Sequence, residues 1–302
     1  MYAKTLMVFC LFLFMLVIST IPVENEPVLF MATETEGNAI KDLDLNLSKK
    51  DIAVSFLELE SGEATLLQDS NGRSILINTG GKQSIDKFKQ QMKIFNVNQL
   101  DAVFLTNMES QYTGNLEWLL KENKVKEVYV SETMIDNIHG MFDLKDVKVN
   151  ALTVGLRMKI FNKISLTVPY IESRKDYDLG GLTISLKYGE HTFLFMGVSN
   201  AKADHALIKS GRLNISLLKV GGFGHYFGTS EELIQHINPQ VAVIFKKSEY
   251  TPSDEVLNRL DNHWVEILKP YDQGIVMVKW NDQAYEITQV PLSTPEMASV
   301  LK

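Results

Sequence analysis

The side chains best placed for chemistry lie in a polar turn that follows a short apolar run at residues 102–105. The turn holds Asn107, Glu109, Gln111 and Tyr112. A polar turn directly after a strand is where α/β proteins place ligand and catalytic groups, because the carboxyl ends of strands border a crevice. These groups could bind a ligand by hydrogen bonds or hold a metal ion. Zinc requires imidazole, thiolate or carboxylate ligands, and among these four residues only Glu109 carries one.

Three further residues could join this turn. Glu63 and Asn78 follow apolar runs, and His225 lies in a glycine-rich segment, residues 221–228, where glycines allow positive φ and close backbone approach. One interpretation is a polar pocket that binds a ligand. The interpretation we favour is that these residues lie in solvated loops and form no ligand pocket. A third is a single cation on Glu109 and Glu63, whose oxygens suit Ca²⁺ or Mg²⁺ but are too few for a tight site.

The elements that must position these residues alternate between strands and helices. Apolar runs predict strands at residues 52–59, 64–68, 74–78, 102–105, 127–130, 164–168, 182–187, 192–196, 215–219, 241–245 and 275–279. Apolar residues at helical spacing, some after capping residues, predict helices at residues 83–95, 114–123, 131–138, 200–210, 229–237 and 253–261. This order predicts an α/β protein of the α+β type: an αββα sandwich of two mixed sheets flanked by helices.

Short motifs in a characteristic order resemble the metallo-β-lactamase fold hydrolases, and most closely their ComEC-like branch. Residues 75–81, ILINTGG, are similar to the family's I-L-I-D-T-G-G, and residues 218–224, LKVGGFG, to L-K-V-G-H-H-G. The polar turn stands where the family has T-H-x-H-x-D-H-x-G-G. The resemblance spans residues 52–280 and implies a metallo-β-lactamase-like domain at residues 51–290.

The resemblance also identifies the positions at which the family binds two zinc ions. Here those former ligand positions hold Asn107, Glu109, Gln111, Tyr112, Val198, Gly222 and Thr251. His225 lies three residues past the ligand position at 222, and one histidine makes no zinc site. Although the family implies zinc, we therefore expect no metal, no other cofactor and no catalytic residue.

No other catalytic arrangement replaces the missing ligands. The sequence has one cysteine, Cys10, in an N-terminal apolar segment, and no Ser-His-Asp or Cys-His set can be placed at the cleft. Since fold alone does not establish activity, we expect a pseudoenzyme that binds an unknown small molecule or protein. The alternative is a metal-dependent hydrolase of the ComEC-like family that acts on a phosphoester or nucleic acid. The formal net charge of −7 opposes binding to nucleic-acid phosphates.

The N-terminal composition predicts export from the cytoplasm. Residues 1–21 contain the apolar stretch Leu6–Ile21 after Lys4, which is typical of a signal peptide or membrane anchor. The acidic residues 22–50 predict a flexible linker, and residues 291–302 a tail. A mature chain without cysteine fits a bacterial extracytoplasmic protein. We expect a secreted or membrane-anchored protein that meets the membrane through its N-terminal segment.

Overall fold

The computed structural model describes residues 28–31, 43–122, 124–172, 180–211, 213–248 and 250–292. The predicted signal segment, residues 1–21, lies outside them, as do parts of the predicted linker and most of the tail. Among the described residues, no helix has the length and apolar character needed to cross a membrane.

The strands form two sheets. They are β1 (Val28–Met31), β2 (Ile52–Phe56), β3 (Thr65–Asp69), β4 (Ser74–Ile77), β5 (Ala102–Phe104), β6 (Glu127–Ser131), β7 (Lys148–Leu152), β8 (Arg157–Ile160), β9 (Ile164–Glu172), β10 (Gly181–Tyr188), β11 (His191–Met196), β12 (Leu217–Lys219), β13 (Val241–Val243), β14 (Glu266–Leu268), β15 (Ile275–Trp280) and β16 (Tyr285–Val290). One sheet has the order β1-β16-β15-β2-β3-β4-β5-β6-β7, and the other β14-β13-β12-β11-β10-β9-β8. Both contain parallel and antiparallel pairs, as predicted.

The helices are short and alternate with the strands. They are α1 (Ile85–Ile94), α2 (Ser110–Thr113), α3 (Leu116–Lys121), α4 (Ile135–Met141), α5 (Ala201–Lys209), α6 (Glu231–Ile237), α7 (Asp254–Asn262) and α8 (Pro270–Gln273). Ser230 and Ser253 cap α6 and α7, because each hydroxyl accepts the N–H of the residue three positions on.

The two sheets pack face to face through aromatic side chains. Phe56 of β2 stacks on Phe195 of β11 with 6.0 Å between ring centroids, and Phe193 stacks on Trp280 at 4.1 Å. A second apolar cluster joins the outer face of the smaller sheet to α5, α6 and α7. The predicted αββα sandwich is confirmed, and this packing brings the carboxyl ends of β4, β5 and β12 to one edge.

Some elements differ from the sequence prediction. Strands β7, β8, β14 and β16 were not predicted, and β1 lies inside the predicted linker, where it pairs in parallel with β16. The helix predicted at 114–123 forms as α3 at residues 116–121, and the short α2 before it was not predicted. The two helices are separated at residues 114–115, where the Gly114 N–H donates to Gly80 O at 2.9 Å and the Asn115 side chain donates to Thr79 O at 2.6 Å.

Strand β9 also continues past Pro169, where the sequence predicted its end. Proline is tolerated there because the register with β10 shifts between Thr183 and Ser185, opposite residues 167–170. Such a bulge leaves a ladder position that needs no N–H donor.

Candidate functional site

Four polar side chains from both sheets meet at this edge. Glu63 lies in the loop between β2 and β3, Asn78 follows β4, Thr106 follows β5, and Lys219 ends β12. We call these four residues the floor of the cleft.

The floor is a closed hydrogen-bond network. The Lys219 ammonium donates to both Glu63 carboxylate oxygens, at 2.6 Å each, and to the main-chain oxygen of Met196. The Asn78 amide donates to Glu63 Oε1 at 2.6 Å and to Thr106 Oγ1 at 2.8 Å. The Thr106 N–H donates to Asn78 Oδ1 at 2.8 Å. Asn78 adopts φ +59°, a left-handed conformation that asparagine tolerates better than most residues.

Water does not reach these groups: Glu63 is 2% exposed and Lys219 is 1% exposed. Burial raises the pKa of the Glu63 carboxyl, and the Lys219 charge and hydrogen bonds act against that rise. Burial likewise lowers the pKa of the Lys219 ammonium, against the attraction of Glu63. A lone buried charge is strongly destabilising, so each partner depends on the other. The pair therefore ties the β2–β3 loop to β12 across 156 residues of sequence.

The seven former ligand positions form a second group, which we call the rim. Its members are Asn107, Glu109, Gln111, Tyr112, Val198, Gly222 and Thr251. The rim is built mainly from α2 and from the loops that follow β5, β11 and β12.

Tyr112 fills the centre of the rim. It is 2% exposed, its ring lies 5.2 Å from that of Phe223, and its hydroxyl accepts a hydrogen bond from the Gly222 N–H. Burial raises the pKa of the Tyr112 phenol well above its ordinary value, and the charges of Glu63 and Glu109 raise it further. A neutral tyrosine thus directly joins two positions that would each carry a metal ligand in the family.

The remaining polar rim side chains are engaged within the protein. Glu109 forms an ion pair with Lys247 at 2.9 Å, and both side chains are more than a third exposed. Asn107 accepts the Glu109 N–H at 2.9 Å and donates to Gly197 O at 3.2 Å. The Gln111 side chain accepts the Ser110 hydroxyl at 3.0 Å. These contacts shape the turn itself.

The surroundings of Gly222 and Val198 leave no room for a larger side chain without rearrangement. Gly222 has φ +53°, and a Cβ added there would lie 2.5 Å from the Ser199 Cβ. Val198 is buried against Gly181, where an added Cβ would lie 1.9 Å from Val198 Cγ1. Thr251 is exposed at the outer side of the rim.

These residues do not fit the two-zinc site that the fold implies. The two nearby carboxylates, Glu109 and Glu63, each face a lysine ammonium, which occupies the position a cation would need. In the described part of the chain, no group of three or more histidine, cysteine, aspartate or glutamate side chains is arranged to hold a metal. A catalytic zinc needs three protein ligands.

The structure brings together some of the predicted site residues but not all. Glu63 contacts Asn78 and lies near Tyr112, which contacts Gly222, whereas His225 is exposed and stacks on Tyr226 with 4.6 Å between ring centroids. A ligand-binding role for Glu63 and Asn78 stays a prediction, which their burial does not favour.

Sequence reasoning missed the role of Lys219. Its signal was present as the lysine of the L-K-V-G match, where a charged residue ends an otherwise apolar strand. A lysine in that setting is rarely buried without a partner. The partner could not be identified because Glu63 is distant in sequence.

Comparison with curated proteins gives one relative. No protein-family model matches the chain. ComE operon protein 3 of Bacillus subtilis (strain 168) is 22% identical over 268 residues, which cover 79% of this chain and 34% of that protein. The chain thus spans about a third of the length of this relative.

Comparison with solved structures gives the fold. The metallo-β-lactamase fold protein YhfI from Bacillus subtilis aligns with a TM-score of 0.56 and 12% identity, over 73% of this chain and 96% of that one. Igni18, a metallo hydrolase from Ignicoccus hospitalis, aligns at 0.53 and 12% identity, over 76% of this chain and 100% of that one. Zn²⁺-bound PqqB from Methylobacterium extorquens aligns at 0.51 and 10% identity, over 69% and 85%. The chain has the metallo-β-lactamase fold and is similar in sequence to ComE operon protein 3.

Proposed function

We propose that this chain is an extracytoplasmic protein that uses a metal-free metallo-β-lactamase fold to bind a partner rather than to hydrolyse a substrate. The observation that carries the proposal is the content of the rim. Tyr112 joins former ligand positions 112 and 222, and Lys247 pairs with the carboxylate at 109. Contacts between protein side chains and backbone thus occupy the positions from which the family binds its metal ions.

The chemistry of the remaining groups supports this proposal. Hydrolysis in this fold needs a cation that generates hydroxide near neutral pH and stabilises the developing negative charge. Among the described residues, the ammonium groups of Lys219 and Lys247 lie at the cleft, and each forms an ion pair with a glutamate. Lys219 is also too deeply buried to contact a substrate.

The floor supports a binding role because it keeps the scaffold rigid. Its ion pair fixes the two sheets at the cleft edge, so the loops above it are held in one arrangement. A rigid scaffold that carries variable loops is a common basis for recognition. The location outside the cytoplasm rests on the predicted N-terminal segment, and a cytosolic protein with residues 1–21 intact would contradict it.

The alternative, a metal-dependent hydrolase, is favoured by one observation: the fold is shared with Igni18, whose name describes a metallo hydrolase. Phosphoesterase and β-lactamase assays with added zinc distinguish the two functions. We expect no activity above the uncatalysed rate. Zinc-dependent turnover that is lost in Glu109→Ala would overturn the proposal.

A rebuilt rim provides the positive control for these assays. The variant carries Asn107→His, Glu109→His, Gln111→Asp, Tyr112→His, Val198→Asp and Gly222→His. It also needs Ser199→Gly, because the Ser199 Cβ lies 2.5 Å from the Cβ that position 222 would gain. We expect this variant to bind zinc. The same substitutions without those at 112 and 222 serve as the matched control.

A further inference from the structure

The loop after β12 displays three consecutive aromatic side chains on the surface. Tyr226 is 51% exposed and Phe227 is 62% exposed, and their ring centroids lie 4.1 Å apart. His225 is also exposed and contacts both rings, at 4.6 and 5.0 Å. We call residues 225–227 the aromatic loop. Aromatic groups of this kind, left in contact with water, are characteristic of interaction surfaces.

The backbone under these rings is held firmly. The Arg259 guanidinium of α7 donates to three carbonyl oxygens, those of Tyr226, Gly228 and Thr229, at 2.9–3.2 Å. The Ser199 hydroxyl donates to His225 O at 3.0 Å. A loop fixed before binding loses little conformational entropy when a partner arrives, which favours affinity.

A buried acid secures the end of the same loop. The Ser230 N–H donates to Asp204 Oδ2 at 2.8 Å, and Asp204 is 1% exposed. The backbone on both sides of the rings is therefore fixed, while the rings themselves remain free to contact another molecule.

Acidic side chains begin both helices next to the aromatic loop. Exposed Asp254 and Glu255 begin α7, and the hydrogen bond from the Ser253 N–H to Gly224 O, 3.0 Å, places them beside the loop. Exposed Glu231 and Glu232 begin α6, directly after it, although Glu231 also pairs with His263 at 2.6 Å. Arg259 also reaches the loop, but its guanidinium donates to backbone carbonyl oxygens.

This charge pattern selects the partner. Acids at helix N-termini also interact favourably with the helix dipole, so alone they identify no ligand. Beside exposed aromatic faces, which themselves attract cations, they create a surface suited to lysine and arginine side chains. The same charges, within a chain of net charge −7, oppose nucleic acids and anionic lipids.

We propose that the aromatic loop is a docking surface for a basic segment of a protein partner. Lysine or arginine side chains of that segment lie over the rings of Tyr226 and Phe227, with Glu232, Asp254 and Glu255 at the edge. The proposal rests on the binding role proposed above and assigns it a surface outside the former metal cleft.

Calorimetric titration with a lysine- and arginine-rich decapeptide tests this surface. We expect Tyr226→Ala/Phe227→Ala to weaken binding about tenfold, equivalent to about 1.4 kcal/mol. Glu232→Gln/Asp254→Asn/Glu255→Gln should weaken it as well and reduce its dependence on salt. The control Met141→Ala/Val154→Ala removes apolar side chains elsewhere that are 52% and 59% exposed. Its dissociation constant for the peptide should stay within twofold of that of the unmodified chain.

Three results would overturn the docking surface. The first is a wild-type chain that does not bind the peptide, and the second is an equal loss of peptide affinity in the aromatic and control variants. The third is binding to zwitterionic lipid vesicles that depends on Tyr226 and Phe227, which would indicate a lipid surface. A zinc assay on the same samples separates the two proposals. Failure to bind the peptide in zinc-free protein overturns this surface alone, whereas stoichiometric zinc overturns the proposed function.

Discussion

The floor and the rim of the cleft lie side by side but have different chemistry. The floor, Glu63, Asn78, Thr106 and Lys219, is a fully hydrogen-bonded polar network within the core. The rim carries one carboxylate, Glu109, together with a tyrosine, amides, a valine, a glycine and a threonine. A buried polar network thus joins the two sheets beside a rim that carries few side chains able to bind metal.

The comparison predicts that the two regions differ in what they contribute. Removing a floor group leaves a buried partner unsatisfied, so floor substitutions should lower the free energy of unfolding strongly. Substitutions at exposed rim positions remove interactions that water can replace, so their effects should be small. Tyr112, a rim residue that is buried, should lie between these limits.

The largest effect is expected from Lys219→Met. This substitution leaves the Glu63 carboxylate buried without its cation and removes a donor to Met196 O. We expect the free energy of unfolding to fall by about 3–5 kcal/mol. Urea denaturation followed by circular dichroism measures the change.

A double variant, Glu63→Leu/Lys219→Met, provides the control for that result. Replacing both charges with apolar groups should recover most of the lost stability, because no uncompensated charge remains. A loss of less than about 1 kcal/mol in the single variant would show that the pair does not hold the floor together.

The next effect is expected from Asn78→Asp, which restores the acid that the family motif carries. It would place a second carboxylate 2.6 Å from Glu63 Oε1, in the position of an amide donor. We expect a loss of about 2–3 kcal/mol at pH 7. Asn78→Ser, which keeps a donor without adding charge, is the matched control.

The loss in Asn78→Asp should depend on pH in a defined direction. The new acid, close to Glu63, should have a folded pKa above its unfolded value of about 3.9. Its charge therefore destabilises the fold at high pH, and that penalty should disappear as the pH falls towards about 4. A difference from wild type that stays constant between pH 7 and pH 4 would contradict this account of the floor.

A smaller effect is expected from Tyr112→Phe. The substitution keeps the ring against Phe223 but removes the acceptor of the Gly222 N–H. The free energy of unfolding should fall by about 1 kcal/mol. Tyr129→Phe removes a half-buried hydroxyl that donates to Glu127, away from the cleft, and serves as a comparison. Hydrogen exchange at the Gly222 amide should increase only in the Tyr112 variant.

The smallest effect is expected from Glu109→Gln. Its ion pair with Lys247 joins two side chains that are each more than a third exposed, so solvent screens most of the attraction. The change should be no more than about 0.5 kcal/mol and should vanish at high salt. Lys247→Met tests the same pair from the other side. A loss of several kcal/mol in either variant would remove the distinction between rim and floor.

The sequence allowed the fold to be predicted because short motifs and buried apolar strands follow a family order. The former ligand positions of the rim were assigned from the same order, and that assignment stays a prediction. The contacts within the cleft could not be predicted, because they form only when distant loops meet. Examples are the hydrogen bond between Tyr112 and Gly222 and the ion pair of Lys219 with Glu63. Strand β16 was missed because its apolar and polar residues alternate over only its first four positions, Tyr285 to Thr288.

The zinc content of the purified chain tests the central claim most directly. Protein produced in zinc-supplemented medium and exchanged into metal-free buffer is measured by inductively coupled plasma mass spectrometry, alongside the rebuilt-rim variant. We expect much less than one zinc per chain in the wild type and bound zinc in the rebuilt variant. Stoichiometric zinc in the wild type that is lost in Glu109→Ala would contradict the proposal that this fold is metal-free.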